Sequence, residues 1–194
     1  MKTPTNILPA LVAAFPALIL LMTEPSTLSS AAVEVPAGAY DIVKFYNTGD
    51  PIITVYTTGG HAMCKDDTKF NISETDIFFL RWFKEGGKHP TLMHGLFWDA
   101  KEITSIGAYN TMNVTSTDDK QFPPRGGVRW NSIENLRFAY GDYICGVFRV
   151  NMVTEGEKSY VYDVRVRNAK NMVAVTDVCL EYAKKTQLNF TKCP

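Results

Sequence analysis

Neither sign of charge is in excess in this sequence: 20 Lys and Arg stand against 20 Asp and Glu, with no polybasic run. That balance excludes a cationic face for nucleic acid or anionic lipid headgroups. Histidine is scarce, and His61, His89 and His94 lack the spacing of metal ligands, so no metal and no other cofactor is expected. There is no G-x-S-x-G elbow, no P-loop, no H-E-x-x-H, no C-x-x-C and no G-x-G-x-x-G, which leaves no motif from which to argue an enzyme. Asp66-Asp67 and Asp118-Asp119 are paired carboxylates beside or between strands, and such pairs read as solvated surface. Long apolar runs are also nearly missing. The one exception, Ile7 to Met22, is sixteen residues long and interrupted by Pro9 and Pro16, short of the roughly twenty a membrane span needs. With Lys2 ahead of it and Ser29, Ser30 and Ala31 behind, it reads as an export signal covering residues 1–31, leaving 32–194 as one domain.

What is present agrees with export. All four cysteines, Cys64, Cys145, Cys179 and Cys193, follow the expected cleavage point, and an even count in an exported chain implies two disulfides. Three pairings are open. Asn71-Ile-Ser, Asn113-Val-Thr and Asn189-Phe-Thr are N-glycosylation sequons.

From Asp50 onward the chain alternates short β-rich runs with turn formers. Eight strands are expected, at 51–57, 62–70, 76–84, 91–98, 108–115, 134–140, 144–153 and 158–167. The breaks carry Gly59-Gly60, Gly86-Gly87, Pro123-Pro124 with Gly126-Gly127, and Glu155-Gly156-Glu157. Short turns between successive strands predict an antiparallel meander. Tyr40 to Tyr46 reads as a short amphipathic helix. A second helix is expected over 176–185, with Thr176 as N-cap, Asp177 in the first turn, Lys184-Lys185 at the end, and Val175, Val178, Cys179 and Tyr182 on one face. In the last strand one face is Tyr160, Tyr162, Val164 and Val166, and the other is Val161, Asp163, Arg165 and Arg167. The apolar face belongs in the core of an open sheet, but in a small barrel it can lie under an outer helix while the mixed face lines the lumen. The strand aromatics, among them Trp82, Phe138 and Phe148, are candidates for core or pocket wall, and His94 is a candidate pocket residue.

The C-terminal fifty residues resemble the tick salivary lipocalins, the family of the histamine-binding proteins. The likeness lies in Phe138-Ala-Tyr-Gly-Asp-Tyr-Ile-Cys145-Gly-Val-Phe-Arg-Val, then Tyr162-Asp-Val-Arg-Val-Arg-Asn168, then Asp177-Val-Cys179-Leu-Glu-Tyr, and the final Cys193. It implies an eight-stranded antiparallel up-and-down barrel with a short N-terminal helix and a C-terminal helix packed outside. It also implies that Cys145 pairs with Cys179 and Cys64 with Cys193. The first pair closes a loop of about 35 residues and contributes roughly 3–4 kcal/mol on chain-entropy grounds. In amine-binding members the pattern is Cys-Asp-aliphatic followed by Glu-Leu-Trp on the next strand. Here those positions read Cys145-Gly146-Val147 and Asp163-Val164-Arg165, so one acid is lost and an arginine replaces the aromatic. The resemblance therefore implies a secreted, monomeric scavenger of a hydrophobic host ligand: a fatty acid, an eicosanoid, or a sterol as in japanin-like members. Asp163, Arg165, Phe148, Phe138, Trp82 and His94 are the candidate contacts. The alternatives are immunomodulation through the outer surface, by way of a host immune protein or cell receptor, and capture of a biogenic amine.

Overall fold

The structure, a computed structural model, describes residues 40–86, 89–98, 109–117, 131–154, 157–167 and 172–194. The expected export signal, the start of the fifth strand at 108, Asp118-Asp119, Asn168 and the turn residues at 87, 123–127 and 155–156 lie outside them.

The described residues open with helix α1 (Ile42–Tyr46). Asp41 caps it, its Oδ1 accepting from the amides of Val43 and Lys44 at 2.9 and 3.2 Å. Eight strands then follow: β1 (Ile52–Thr57), β2 (Lys65–Ile72), β3 (Asp76–Phe83), β4 (Thr91–Trp98), β5 (Thr111–Ser116), β6 (Ser132–Tyr140), β7 (Cys145–Thr154) and β8 (Glu157–Arg167). Helix α2 (Met172–Lys184) and a two-residue strand β9 (Thr191–Lys192) complete the described chain. Each strand pairs antiparallel with the next from β2 through β8, and β8 pairs with β1. Two rungs, Ile52 opposite Asp67 and Ile53 opposite Asp66, join β1 back to β2 and close the circle. This is a closed eight-stranded up-and-down barrel with a helix outside, the lipocalin-type architecture the sequence leads one to expect.

Two boundaries move and one strand is added, for identifiable reasons. The second strand starts at Lys65 rather than 62, because His61–Met63 form a single 3-10 turn. The C-terminal helix begins at Met172 rather than Thr176: Met, Val and Ala continue the helix upstream, so Thr176 is a buried helical residue and no acidic residue occupies the first turn. Strand β9 carries too little pattern in two residues to be read from sequence.

Strand parity sorts the side chains into two cores. Inside, Phe45 and Tyr46 of α1 meet Phe79, Phe148 and Leu136, so the helix plugs one end of the lumen. Arg167 fastens that plug by donating to the carbonyls of Lys44 and Phe45. Outside, Val147, Val164 and Val166 pack under Cys179 and Ala183 of α2. The mixed face of β8 is therefore the inner one. Cys145–Cys179 ties α2 to β7, and Cys64–Cys193 ties the tail beside β9 to the start of β2, the pairing the resemblance implies. Among the described residues no helix is long and apolar enough to cross a membrane.

Candidate functional site

Alternation carries six charged side chains from four strands into the lumen: Lys65 and Asp67 of β2, Arg81 of β3, Glu134 of β6, and Asp163 and Arg165 of β8. None is more than 3% exposed. Burying ions in apolar surroundings is costly unless each is paired and hydrogen-bonded, and here each is. Arg81 grips Asp67 through Nε and Nη2 at 2.7 and 2.8 Å and reaches Glu134 through Nη1 at 2.7 Å. Arg165 donates from Nη1 to Glu134 at 2.5 Å and to the Tyr46 hydroxyl at 2.7 Å, and from Nη2 to Asp163 at 2.8 Å. Its guanidinium lies 4.4 Å from the centre of the Phe148 ring. Lys65 Nζ donates to Asp163 at 2.7 Å and to the Met63 carbonyl at 3.3 Å. Thr57 gives Asp163 a further bond at 2.8 Å, and Ser132 gives Glu134 one at 3.1 Å.

Three cations and three carboxylates leave this network formally neutral. Burial by itself raises the pKa of Asp163 and Glu134, but the cations outweigh it: Lys65 then Arg165 hold Asp163 below the ordinary carboxylate range, and Arg165 then Arg81 do the same for Glu134. For Lys65 the balance goes the other way, since desolvation lowers its pKa and the Asp163 charge only partly restores it. Burial raises Tyr46 well above the ordinary phenol value, so it enters the network as a neutral hydroxyl.

On the side of the network away from α1 the lumen opens into a cavity of about 370 Å³. Its surface is mainly apolar, with Met63, Phe83, Met93, Val150 and Met152 in the wall, and Lys65, Arg81, Thr91, Ser116, Asn131 and Ser132 also line it. A partly open, largely apolar cavity of this size with polar groups at its edge suits one small organic molecule. Among the described residues no three His, Cys, Asp or Glu side chains converge as metal ligands.

Of the residues singled out from sequence, Asp163, Arg165 and Phe148 come together inside. Three others face elsewhere. Trp82, on β3 between inward Arg81 and Phe83, is 48% exposed on the outer surface. His94 stacks at 4.6 Å on Phe78 on the outer side of β4, where burial lowers its pKa. Phe138 follows a bulge between Leu136 and Phe138 that reverses the parity of β6, so it leaves the lumen and stacks at 4.2 Å on Tyr182 of α2. Asp67 corrects the reading of Asp66-Asp67 as solvated surface: only Asp66 faces outward, paired with Lys84, while Asp67 is buried against Arg81. Gly146, where amine-binding family members carry an acid, stands against the plug, and a Cβ there would lie 2.7 Å from the Phe45 ring and 2.9 Å from Leu136. Sequence reasoning missed Tyr46, Lys65, Asp67, Arg81 and Glu134. The signal available was charge at two-residue spacing on an otherwise apolar face, as in Ile77, Phe79, Arg81.

Asn71 and Asn189 are exposed. Asn113 is half-buried, its Oδ1 accepting from the Trp98 indole at 2.9 Å.

No family model and no curated protein matches this chain. Among solved structures, one similar chain is the siderocalin Ex-FABP, described as functioning through dual ligand specificities. The identity is 8%, over 75% of this chain and 89% of that one, with a TM-score of 0.49. The fold assignment rests on the strand order and closure given above.

Proposed function

We propose that this protein is a secreted lipocalin that sequesters a small host molecule with an apolar body and an acidic or hydrogen-bond-accepting head, and so damps a host inflammatory or immune response. The observation that carries the reading is the cavity: apolar walls surround a polar floor that includes Lys65, an ammonium with donor capacity to spare. An ammonium has three N–H donors, and two are used by Asp163 and Met63. A carboxylate or hydroxyl head set on that floor satisfies the third, while the tail lies along Met93, Val150 and Met152. Fatty acids, eicosanoids and hydroxylated sterols fit this pattern. A cationic amine fits it less well, because the carboxylates of Asp67, Glu134 and Asp163 are engaged by arginine or lysine. Two disulfides and the Ile7 to Met22 run support export, and the C-terminal likeness to tick salivary lipocalins supports the host setting.

The direct test is displacement of a fluorescent fatty acid from the purified protein, together with native mass spectrometry for a co-purified lipid. One-to-one binding at micromolar concentration or tighter is expected. Absence of binding across fatty acids, eicosanoids and sterols, with no co-purified lipid, sinks the proposal. A second reading, action through the outer surface on a host protein, has one observation in its favour: Phe70, Leu80 and Trp82 on β2 and β3 are 74%, 38% and 48% exposed. Biological activity retained after the cavity is blocked, and lost in Trp82→Ser, would select it.

A further inference from the structure

Lys65 combines features that the binding role does not require. Lys65 is one of the residues lining the cavity, and its side chain is only 1% exposed, so its amine is desolvated. Its counter-ion, Asp163, is held independently by Thr57 at 2.8 Å and Arg165 at 2.8 Å, and stays in position whatever Lys65 does. A lysine desolvated in an apolar pocket beside further cations is the setting in which an amine acts as a nucleophile toward carbonyls.

We propose that Lys65 is a covalent capture site for apolar aldehydes, condensing with them to an imine whose charge is balanced by Asp163. This rests on the reading that the cavity admits an apolar ligand. The ammonium first releases a proton, and the free Nζ attacks the aldehyde carbon. A C–N bond forms and a hydrogen passes from nitrogen to the carbonyl oxygen, giving a carbinolamine. The released proton then returns to the hydroxyl, the C–O bond breaks and water leaves. Overall, Lys–NH₃⁺ and R–CHO give Lys–NH⁺=CHR and H₂O, with no oxidant or reductant. The protonated imine carries the same unit charge as the ammonium, so the network with Asp67, Arg81, Glu134, Asp163 and Arg165 stays neutral. The single N–H left on the imine points its charge at Asp163, while the bond to the Met63 carbonyl is surrendered. Desolvation, aided by the nearby Arg165 and Arg81 charges, lowers the Lys65 pKa and enlarges its free-amine fraction relative to a surface lysine.

The test is incubation of the purified protein with decanal and sodium cyanoborohydride at neutral pH, followed by peptide mapping. Lys65 is expected to acquire one decyl group faster than the exposed Lys184, Lys185 and Lys192, in line with the larger free-amine fraction that burial gives it. Excess decanoate slows that labelling and leaves the surface lysines unchanged, and Lys65→Arg abolishes it. Label spread over surface lysines with Lys65 unmodified overturns the proposal. In that event binding of decanoate by the unmodified protein, read by displacement of a fluorescent fatty acid, shows that the cavity reading survives. Absence of decanoate binding shows that both fall.

Discussion

Replacing Arg165 by methionine tests the luminal network most directly. Methionine keeps much of the side-chain volume and the contact with Phe148 while removing the charge. In the parent, Arg165 joins Glu134 at 2.5 Å, Asp163 at 2.8 Å and Tyr46 at 2.7 Å. The variant leaves three carboxylates facing two cations, so the network acquires a buried net negative charge. Removing one member of a buried ionic group typically costs about 3–5 kcal/mol. A chain of this length loses about 2–4 °C of Tm per kcal/mol, so a drop on the order of 10 °C is expected. The pH dependence carries a sign of its own. In the parent, Glu134 and Asp163 are held below their ordinary pKa values, so their stabilisation is complete above the unfolded carboxyl value of about 4 and fades as pH falls through the lower folded values. In the variant, one carboxyl retains a proton into the folded state, and its contribution is present at low pH and lost as pH rises. The deficit between parent and variant therefore narrows from pH 7 toward pH 4. Urea unfolding followed by circular dichroism under non-reducing conditions measures it. Adding Glu134→Gln to Arg165→Met restores neutrality and should return about 1 kcal/mol or more. A loss below about 1 kcal/mol at pH 7, or a deficit that holds constant with pH, refutes the assignment of these six groups to one compensated network.

Other perturbations address other parts of the fold. Val150→Trp places an indole in the cavity and should weaken fatty-acid binding by about tenfold or more, measured by dye displacement, with far-UV circular dichroism unchanged. Gly146→Ala presses a methyl onto Phe45 and Leu136 and should cost about 1–3 kcal/mol in urea unfolding, because these side chains are already packed. Replacing Cys145 and Cys179 together by alanine opens a bridge spanning 34 positions, with an expected loss of about 3–4 kcal/mol and faster amide exchange in α2. On expression through a secretory pathway, glycan mapping should find carbohydrate on the exposed Asn71 and Asn189 in preference to Asn113, whose amide is engaged by Trp98.

The barrel was legible because its determinants are local. Alternation along β8 and glycine-rich turns such as Gly59-Gly60 announce a meander, and Asp163 with Arg165, two apart, announce an occupied inner face. The remaining charged members of the site come from β2, β3 and β6, whose mutual register depends on closure of the whole sheet. No window of sequence relates Lys65 to Asp163, 98 positions away. Aromatic content misled for a related reason: Trp82 and Phe148 look alike in composition, and only parity separates outside from inside. For Phe138 even parity needed the bulge after Leu136, which propensity does not announce. Gly146 was legible as a missing acid, but the ring that fills its place lies a hundred residues earlier in sequence, in α1.

The way the circle closes bears on what can pass its rim. Strand β1 holds β2 by two rungs near the plugged end; farther along, the same edge of β1 turns to β9 instead, at Tyr56 with Lys192 and Thr57 with Thr191. A continuous ladder fixes its own girth, since every strand is bound along its length. Here the rim has a slit on that side, where β9 pairs with β1 alone and Cys64–Cys193 makes the tie to the start of β2. Reduction of that one bond would leave the plugged end clasped by its rungs and the rim without its covalent tie, so the entrance depends on a sulfur bond and the base on hydrogen bonds.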